Sequence, residues 1–511
     1  MTQILFGQSY YLRFDPKLYA AMQPYPPLGT LYAASFLRER GWDVALFDAM
    51  LAPSEEAWDQ ALAEHRPQYA VLFDDNFNYL SKMCLLNMRQ AAFRMIHMAK
   101  KRNIPVIVCS ADATDHPELY LEQGADYVLL GEGEETLAEL LERLPGPHAP
   151  LPQPERILGL AYPGPNGPRR TPRRPVIRDV DALPFPAWDL VDVERYRRIW
   201  RERHGYFSMN MVTTRGCPYH CNWCAKPIWG QRASTRSPAS VAQEMKWLKE
   251  TYRPDHIWFA DDIMGLKPGW WPAFAAEVEA RDARIPFKCL SRADLIVRRP
   301  ENVHALARAG CQIVWIGAES GSQKVLDAMD KGVQVAQIYE AAERLHQAGI
   351  QVAFFLQFGY PGETREDIEM TLEMVRKCQP DDIGISVSYP LPGTKFYDAV
   401  REQLGEKQNW VDSADLEMLY QGPFASDFYR QLHRVVHQEF RARSSWRRLR
   451  ATPLGRWGRG ELRELAAVLY RVASLPLARH RLDRLARLPH QGIGPLPHMP
   501  RAQAAAPTPQ D

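Results

Sequence analysis

The chain has 511 residues, too many for one ordinary core, so two to four domains are expected. Hydrophobic residues at 46% and charged residues at 24% exclude a disordered or fibrous chain. The 63 Lys and Arg against 61 Asp and Glu leave a net charge of +2, which implies no polyanion partner for the chain as a whole. No apolar run reaches the roughly 18 residues that a bilayer-spanning helix needs. The start, MTQILFGQSYYLRFD, lacks the pattern of a secretory signal. A cytoplasmic protein with reduced thiols is expected.

Residues 1–145 alternate strand-like runs (ILFGQS, DVALFDA, YAVLFDD, IPVIVCSAD, ADYVLLGEGE) with helical patterns such as NMRQAAFRMIHMAKKRN and EETLAELLERL. This is the pattern of an α/β, doubly wound, Rossmann-like domain. Ligands of such sheets sit beyond the carboxyl ends of the strands, near Pro24–Gly29, Asp74–Asn76, Ser110–Asp112 and Gly131–Glu134. Residues 146–205 are rich in Pro and Arg and read as an extended linker with a small hairpin, without long helices. Residues 206–400 return to alternation. FSMNMVTT, HIWFADD, FKCLSRA, CQIVWIGAES, QVAFFLQFG and IGISVSYP are six strands of a full or partial barrel, with its active site at their carboxyl ends. Residues 401–490 read as a basic helical domain. Arg441–His490 holds 13 Arg, no Lys and three acids, a net +10 that leaves −8 for the rest. Residues 491–511, rich in Pro and Ala, read as a disordered tail.

Eight cysteines are present. Cys84, Cys109, Cys289, Cys311 and Cys378 stand singly in apolar surroundings and read as small buried hydrophobes. The other three crowd into MVTTRGCPYHCNWCAKP as Cys217-x3-Cys221-x2-Cys224. In a reduced compartment such crowding points to metal. Three thiolates can hold three irons of a [4Fe–4S] cluster and leave the fourth open. An open iron can chelate the amino and carboxylate groups of S-adenosylmethionine, and one electron then releases a 5′-deoxyadenosyl radical. A structural zinc site with His220 as fourth ligand is the alternative.

With this loop at the end of the first barrel strand, the sequence resembles the radical S-adenosylmethionine superfamily over roughly residues 206–400. The resemblance implies a partial TIM-type (β/α)6 barrel, with Cys217, Cys221 and Cys224 as both catalytic residues and metal ligands. It implies S-adenosylmethionine contacts from Trp223 near adenine, Asp261 and Asp262 at the methionyl ammonium, and Ser291 and Arg292 at the ribose or carboxylate. Glu319 would face the ribose, and Phe358 and Gly359 would lie beside adenine. YPLPGTKFYD, from Tyr389 to Asp398, matches the exit of the sixth strand.

The layout upstream, with PYPPLG, GADYVLLGEGEETLAEL and DVDALPFPAWDL, resembles the cobalamin-binding class of that superfamily. This implies cobalamin contacts at Leu28, Gly29, Asp74, Ser110, Asp112, Gly131, Glu132 and Gly133. The corrinoid motif Asp-x-His-x-x-Gly is absent, since His116 directly follows Asp115, and no lower axial cobalt ligand is assigned. A degenerate domain without cofactor is the alternative. A nicotinamide site is weaker, because GEGEE lacks the third glycine and its acids repel a pyrophosphate.

Three functions follow. The first is cobalamin-dependent radical methylation of an unactivated carbon on a small-molecule or lipid-like substrate. The second is a radical cyclase or rearrangement enzyme without methyl transfer, similar to an anaerobic porphyrin cyclase. The third is a non-catalytic corrinoid or iron–sulfur sensor. An electron donor such as flavodoxin or ferredoxin is implied as partner. The basic C-terminal region, an amphipathic helix broken at Pro476, reads as a solvated helical cap in preference to a peripheral contact with acidic lipid through its arginines, Trp446 and Trp457. Nucleic acid is not expected, for want of a basic, aromatic binding sheet. Tyr79, Trp229, Trp270 and Tyr360 are aromatic candidates for a substrate cavity, against plain core packing.

Overall fold

The computed structural model describes residues 3–78, 85–453, 456–488 and 490. Tyr79, Cys84 and the expected tail of residues 491–511 lie outside the described residues. Two sheets carry the architecture. The first contains β1 (Ile4–Gly7), β2 (Val44–Leu46), β3 (Tyr69–Phe73), β4 (Val106–Cys109) and β5 (Tyr127–Leu129), parallel in the order 2-1-3-4-5. β6 (Leu160–Gly164) and β7 (Gly167–Arg170) extend its β5 edge as an antiparallel hairpin. β1, β3 and β4 are short apolar runs buried throughout, as a sheet covered by helices on both faces requires. The strand order reverses between β1 and β3, which places the ligand crevice beyond Gly7 and Phe73.

The second sheet is a six-stranded parallel half-barrel. Its neighbours follow one another as β8 (Ser208–Met211), β11 (His256–Phe259), β12 (Phe287–Ser291), β13 (Cys311–Glu319), β14 (Gln351–Phe358) and β15 (Asp382–Val387). β9 (Thr214–Gly216) and β10 (Ala233–Thr235) form a separate antiparallel ribbon. Along each barrel strand one set of alternate residues packs on the outer helices, as where the Phe259 ring meets Phe274 of the helix Trp270–Ala280. The other set lines the concave face.

Three expectations are corrected. The segment 146–205 is not wholly extended, because Val193–His204 is a 12-residue helix. The prolines stop at Pro186, Asp192 caps the helix by accepting from the Arg195 N–H, and Val193, Tyr196 and Trp200 form its buried face. The hairpin of this segment belongs to the first sheet. Pro476 does not break its helix, which runs from Arg459 to Ala486. The partner helix Ser426–Ala451 holds both halves, with Gln438 donating to the Arg471 carbonyl at 2.8 Å and Gln431 to the Ala478 carbonyl at 2.9 Å. This helix pair packs on the barrel, and several of its arginines pair with acids. Arg376, Arg443 and Arg479 converge on Glu439, and Arg448 meets Glu464. Among the described residues no helix is long and apolar enough to cross a membrane. Cys109, Cys289, Cys311 and Cys378 are buried free thiols, and the Cys289 and Cys311 side chains meet across neighbouring strands.

Candidate active site

The three-cysteine loop leaves β9 and returns in β10, so an antiparallel ribbon closes its base. Gly216 makes the exit possible. Its φ is +81°, and a Cβ there would stand 2.4 Å from the Arg232 carbonyl oxygen. Asn222, between the second and third cysteines, anchors the loop. Its N–H donates to the Met329 carbonyl at 3.0 Å and its side chain to the Ala328 carbonyl at 2.6 Å. Its side-chain oxygen accepts from the Tyr360 hydroxyl at 2.8 Å, and its carbonyl accepts from the Phe396 N–H at 3.0 Å. Nothing in the local sequence signals this role, since every partner is distant in the chain.

Burial pushes the Cys224 thiol up to about 12 and raises Cys217, with the Lys226 charge opposing both. Thiols so placed ionise only with a cation to bind. Among the described residues no three His, Cys, Asp or Glu side chains converge on one metal-ion position. Three thiols that share one loop suit a cluster, in which each iron takes its own thiolate. The donor set fits a [4Fe–4S] cluster.

Around the loop the expected S-adenosylmethionine contacts divide. Asp262 is half-buried, and its charge acts on Cys217 and Cys224. Glu319 sits at φ +57° and accepts from Lys331 Nζ at 2.8 Å, both buried. Burial works against the Lys331 charge, and Glu319 and then the Cys221 sulfur hold it in place. Arg292 lies 3.6 Å from the centre of the Tyr219 ring in the cysteine loop and donates to the Lys331 carbonyl at 2.8 Å. Ser291 donates to the Met264 carbonyl at 3.1 Å. Asp261 is committed elsewhere. It accepts from the backbone N–H and hydroxyl groups of both Thr213 and Thr214, which pins the end of β8, and burial raises its carboxyl to about 6. Trp223 packs beside Val325, Met329, Tyr360 and Phe396, and its buried indole N–H has no partner among the described residues. Phe358 is core, and the Gly359 N–H donates to Glu363 at 2.6 Å.

The residues expected to meet cobalamin mostly bind other groups of the protein. Asp74 accepts from the Ser9 N–H and hydroxyl, and burial raises its carboxyl to about 6. Asp112 takes a bidentate pair from Arg89 at 2.6 Å and a bond from the Tyr120 hydroxyl at 2.7 Å. Ser110 caps a helix through the Ala113 N–H, and the Gly29 N–H donates to Asp75 at 2.9 Å. Leu28 is buried, and a Cβ on Gly133 would strike Cys109 and Phe73. Glu132 and Glu134 each accept from Arg215 at 2.7 Å, and Glu132 also accepts from the Trp229 indole at 3.1 Å. Arg215 stands two residues before Cys217, so this buried triad clamps the first sheet to the cluster loop. Gly131 makes a second contact, since a Cβ there would lie 3.1 Å from the Ile228 carbonyl oxygen. Along this seam the Tyr10 hydroxyl, Asn76 Oδ1, Asn210 Oδ1 and Arg215 Nη2 are buried without a partner among the described residues. Buried polar atoms left in this state fit a polar ligand such as the amide-fringed corrin.

The described aromatic candidates are core. Trp229 stacks on Phe77, Trp270 stacks on Phe274, and Tyr360 is buried against Phe396. The concave face of the barrel instead carries Trp258, Trp315 and Phe355.

The family described as the radical SAM superfamily matches residues 211–375, and the B12 binding domain matches residues 20–141. An uncharacterised methyltransferase of Pyrococcus horikoshii is 27% identical over 399 residues, covering 75% of this chain and 81% of that one. An anaerobic magnesium-protoporphyrin IX monomethyl ester cyclase of a Synechocystis species is 26% identical over 383 residues, covering 74% and 73%. The fold is similar to that of the radical S-adenosylmethionine methyltransferase TsrM from Kitasatospora setae, solved with cobalamin and a [4Fe–4S] cluster. The TM-score is 0.63 at 19% identity, over 79% of this chain and 75% of that one. With the two domains matched in this order and the cysteine loop built as described, the chain belongs to the radical S-adenosylmethionine superfamily, in the branch that carries a B12-binding domain.

Proposed function

We propose that this enzyme uses cobalamin and S-adenosylmethionine to methylate an unactivated carbon of a small-molecule substrate. When bound, the cluster supplies the electron that cleaves S-adenosylmethionine, and cobalamin supplies the methyl group. The carrying observation is the Glu132–Arg215–Glu134 clamp, which fixes the B12-binding domain directly against the cysteine loop. Cys217, Cys221 and Cys224 would hold three irons. Asp262 and the Glu319–Lys331 pair would orient the nucleoside and methionyl groups, with Arg292 and Ser291 beside them. Trp223 would offer its unpartnered N–H toward the adenine side. The seam atoms of Tyr10, Asn76 and Asn210 would take amide groups of the corrin.

Reconstitution under anaerobic conditions with iron, sulfide and hydroxocobalamin tests this. About four irons and one corrinoid per chain are expected, with 5′-deoxyadenosine formed on reduction by flavodoxin or ferredoxin. Cys221→Ala should abolish that product, and a variant that still made it would refute the site. The Synechocystis relative favours a second reading, radical cyclisation without methyl transfer. Product mass decides, since methylation adds one CH2 unit and cyclisation removes hydrogen or adds oxygen.

We infer too that the helix Arg459–Ala486 makes a peripheral contact with anionic lipid at the inner face of the membrane. Val468 and Leu482 on one side pack inward. Leu462, Leu469, Tyr470 and Leu477 are exposed on the other, with Tyr470 at 74% and Leu477 at 73%. Arg459, Arg463, Arg481 and Arg484 stand along the same helix. A basic helix with an exposed apolar stripe suits an acidic bilayer surface.

A further inference from the structure

The concave face of the half-barrel carries groups that neither the cluster nor the nucleoside contacts use. Lys288, the second residue of β12, lies beside Trp258 in the strand register, with its ammonium 5.1 Å from the Trp258 ring and 5.6 Å from the Tyr25 ring. Among the described residues it makes no hydrogen bond or ion pair. Three titratable groups face it. The imidazole of His256 shares a hydrogen bond with the Ser208 hydroxyl, which in turn meets the Tyr25 hydroxyl, each at 2.9 Å. Burial first, and then the Lys288 charge, push His256 down to about 3, so it stays neutral. Asp382, at the start of β15, attracts Lys288 from across the lumen without an ion pair. Burial lowers Lys288 itself to about 8.

Further round the same face, Trp315 and Phe355 stack with centroids 4.6 Å apart. Phe355 is 37% exposed although it lies in the middle of a strand. A Cβ at Gly384 would stand 3.0 Å from Phe355 and 3.5 Å from Trp315, so glycine keeps that aromatic wall accessible. A lysine held over ring faces without a carboxylate partner is costly to bury, and two aromatic contacts offset only part of that cost. A cation without a hydrogen bond or ion pair among the described residues, on the same sheet face as an exposed aromatic wall, marks a candidate ligand site.

We infer that this lumen takes the body of the substrate and that Lys288 anchors an anionic oxygen group on it, a carboxylate or phosphate attached to a planar apolar framework. The inference rests on the proposed function for its location, because the lumen opens toward the cysteine loop. It adds the class of substrate. A cationic molecule is repelled by Lys288, and a neutral one gains no charge pairing from it.

Fluorescence titration of the full-length protein tests the anchor with four probes: 1-pyrenebutyrate, its neutral amide, 1-pyrenylmethyl phosphate and 1-pyrenemethanol. Wild type should bind each anion about 10-fold to 100-fold more tightly than its neutral partner. The two anionic arms separate a carboxylate anchor from a phosphate anchor. Lys288→Met should erase the preference while retaining binding of the neutral probes, and Lys288→Arg should keep it. Phe355→Ala should weaken all four probes and leave the preference intact. Equal binding of anion and amide by wild type, or a preference that survives Lys288→Met, overturns the inference. None of these titrations needs the cluster, so Cys221→Ala should show the wild-type preference. Deoxyadenosine formation judges the functional reading separately.

Discussion

Both parallel sheets aim their carboxyl ends at one seam, yet they spend their polar side chains differently. At the first sheet Asp74, Asp112 and Glu132 are each saturated by donors from the protein itself. What they leave for a ligand is backbone and a few orphaned atoms, such as Asn76 Oδ1. At the barrel sheet charged groups gather near the cysteines, where Asp262 is half-buried and Glu319 pairs with Lys331, and Lys288 stands in the lumen. A large cofactor contacted over a wide area can be held by shape and scattered polar atoms. A small substrate offers few contacts, so each must be charged or well directed. Glu132 and Glu134 of GEGEE thus build a scaffold, as Asp261 does in the barrel, while Asp262 and Glu319 would address ligands under the proposed function.

The sharpest way to break this contrast is at Arg215. Arg215→Met leaves Glu132 and Glu134 buried and adjacent with no countercharge, which should cost about 3–5 kcal/mol of stability. The drop is read as a lower denaturant midpoint, and corrinoid retention should fall with it. Wild-type stability in this variant would show that the triad does not clamp the domains. At the barrel end the effect should be smaller. Lys331→Met leaves Glu319 without its partner, a loss of about 1–3 kcal/mol. It also removes a cation beside Cys221, so the potential of a bound cluster should move to more negative values in a redox titration. An unmoved potential would place Lys331 too far from the cluster to matter.

The cap offers a milder test, through pH. Burial alone would raise the Glu439 carboxyl, but hydrogen bonds from Arg376 and Arg479 win and hold it at about 2, below its ordinary 4.5. A carboxylate with a depressed folded pKa stabilises the protein above its unfolded pKa, and that contribution disappears as pH falls through the folded value. Glu439→Gln should therefore lose about 1–2 kcal/mol at pH 7. The gap from wild type should close between about pH 4.5 and 2. A gap that persists at pH 2 would assign the loss to packing.

Both sheets were legible because their strands are short apolar runs separated by helical patterns, and the cysteine loop because its spacing is local. What stayed hidden depends on partners far along the chain. Arg215 reads as one more arginine until Glu132 and Glu134 fold against it, and Asn222 reads as a loop residue until four bonds converge on it. The helix Val193–His204 was obscured by the proline run just before it. Trp229, Trp270 and Tyr360 were conspicuous but are core. Trp258, Trp315 and Phe355 carried a usable signal, since each occupies an alternate strand position whose opposite face is already filled by apolar residues. A large ring there has no helix to pack on and must face a lumen.

The weakest expected effect separates the two faces of the C-terminal helix. Leu469→Ser with Leu477→Ser removes exposed side chains that touch no core, so stability should stay within about 0.5 kcal/mol of wild type. If the stripe meets lipid, the same pair should lower cosedimentation with vesicles rich in anionic phosphatidylserine. The loss should approach the roughly 1.5–3 kcal/mol of burial forfeited per leucine, reduced by the shallow depth of an interfacial helix. Raising the salt should weaken wild-type binding as the arginines are screened. Sedimentation that is equal for variant and wild type would leave the helix pair as a cap alone. In that case the Glu439 network by itself would account for the arginine-rich end of the chain.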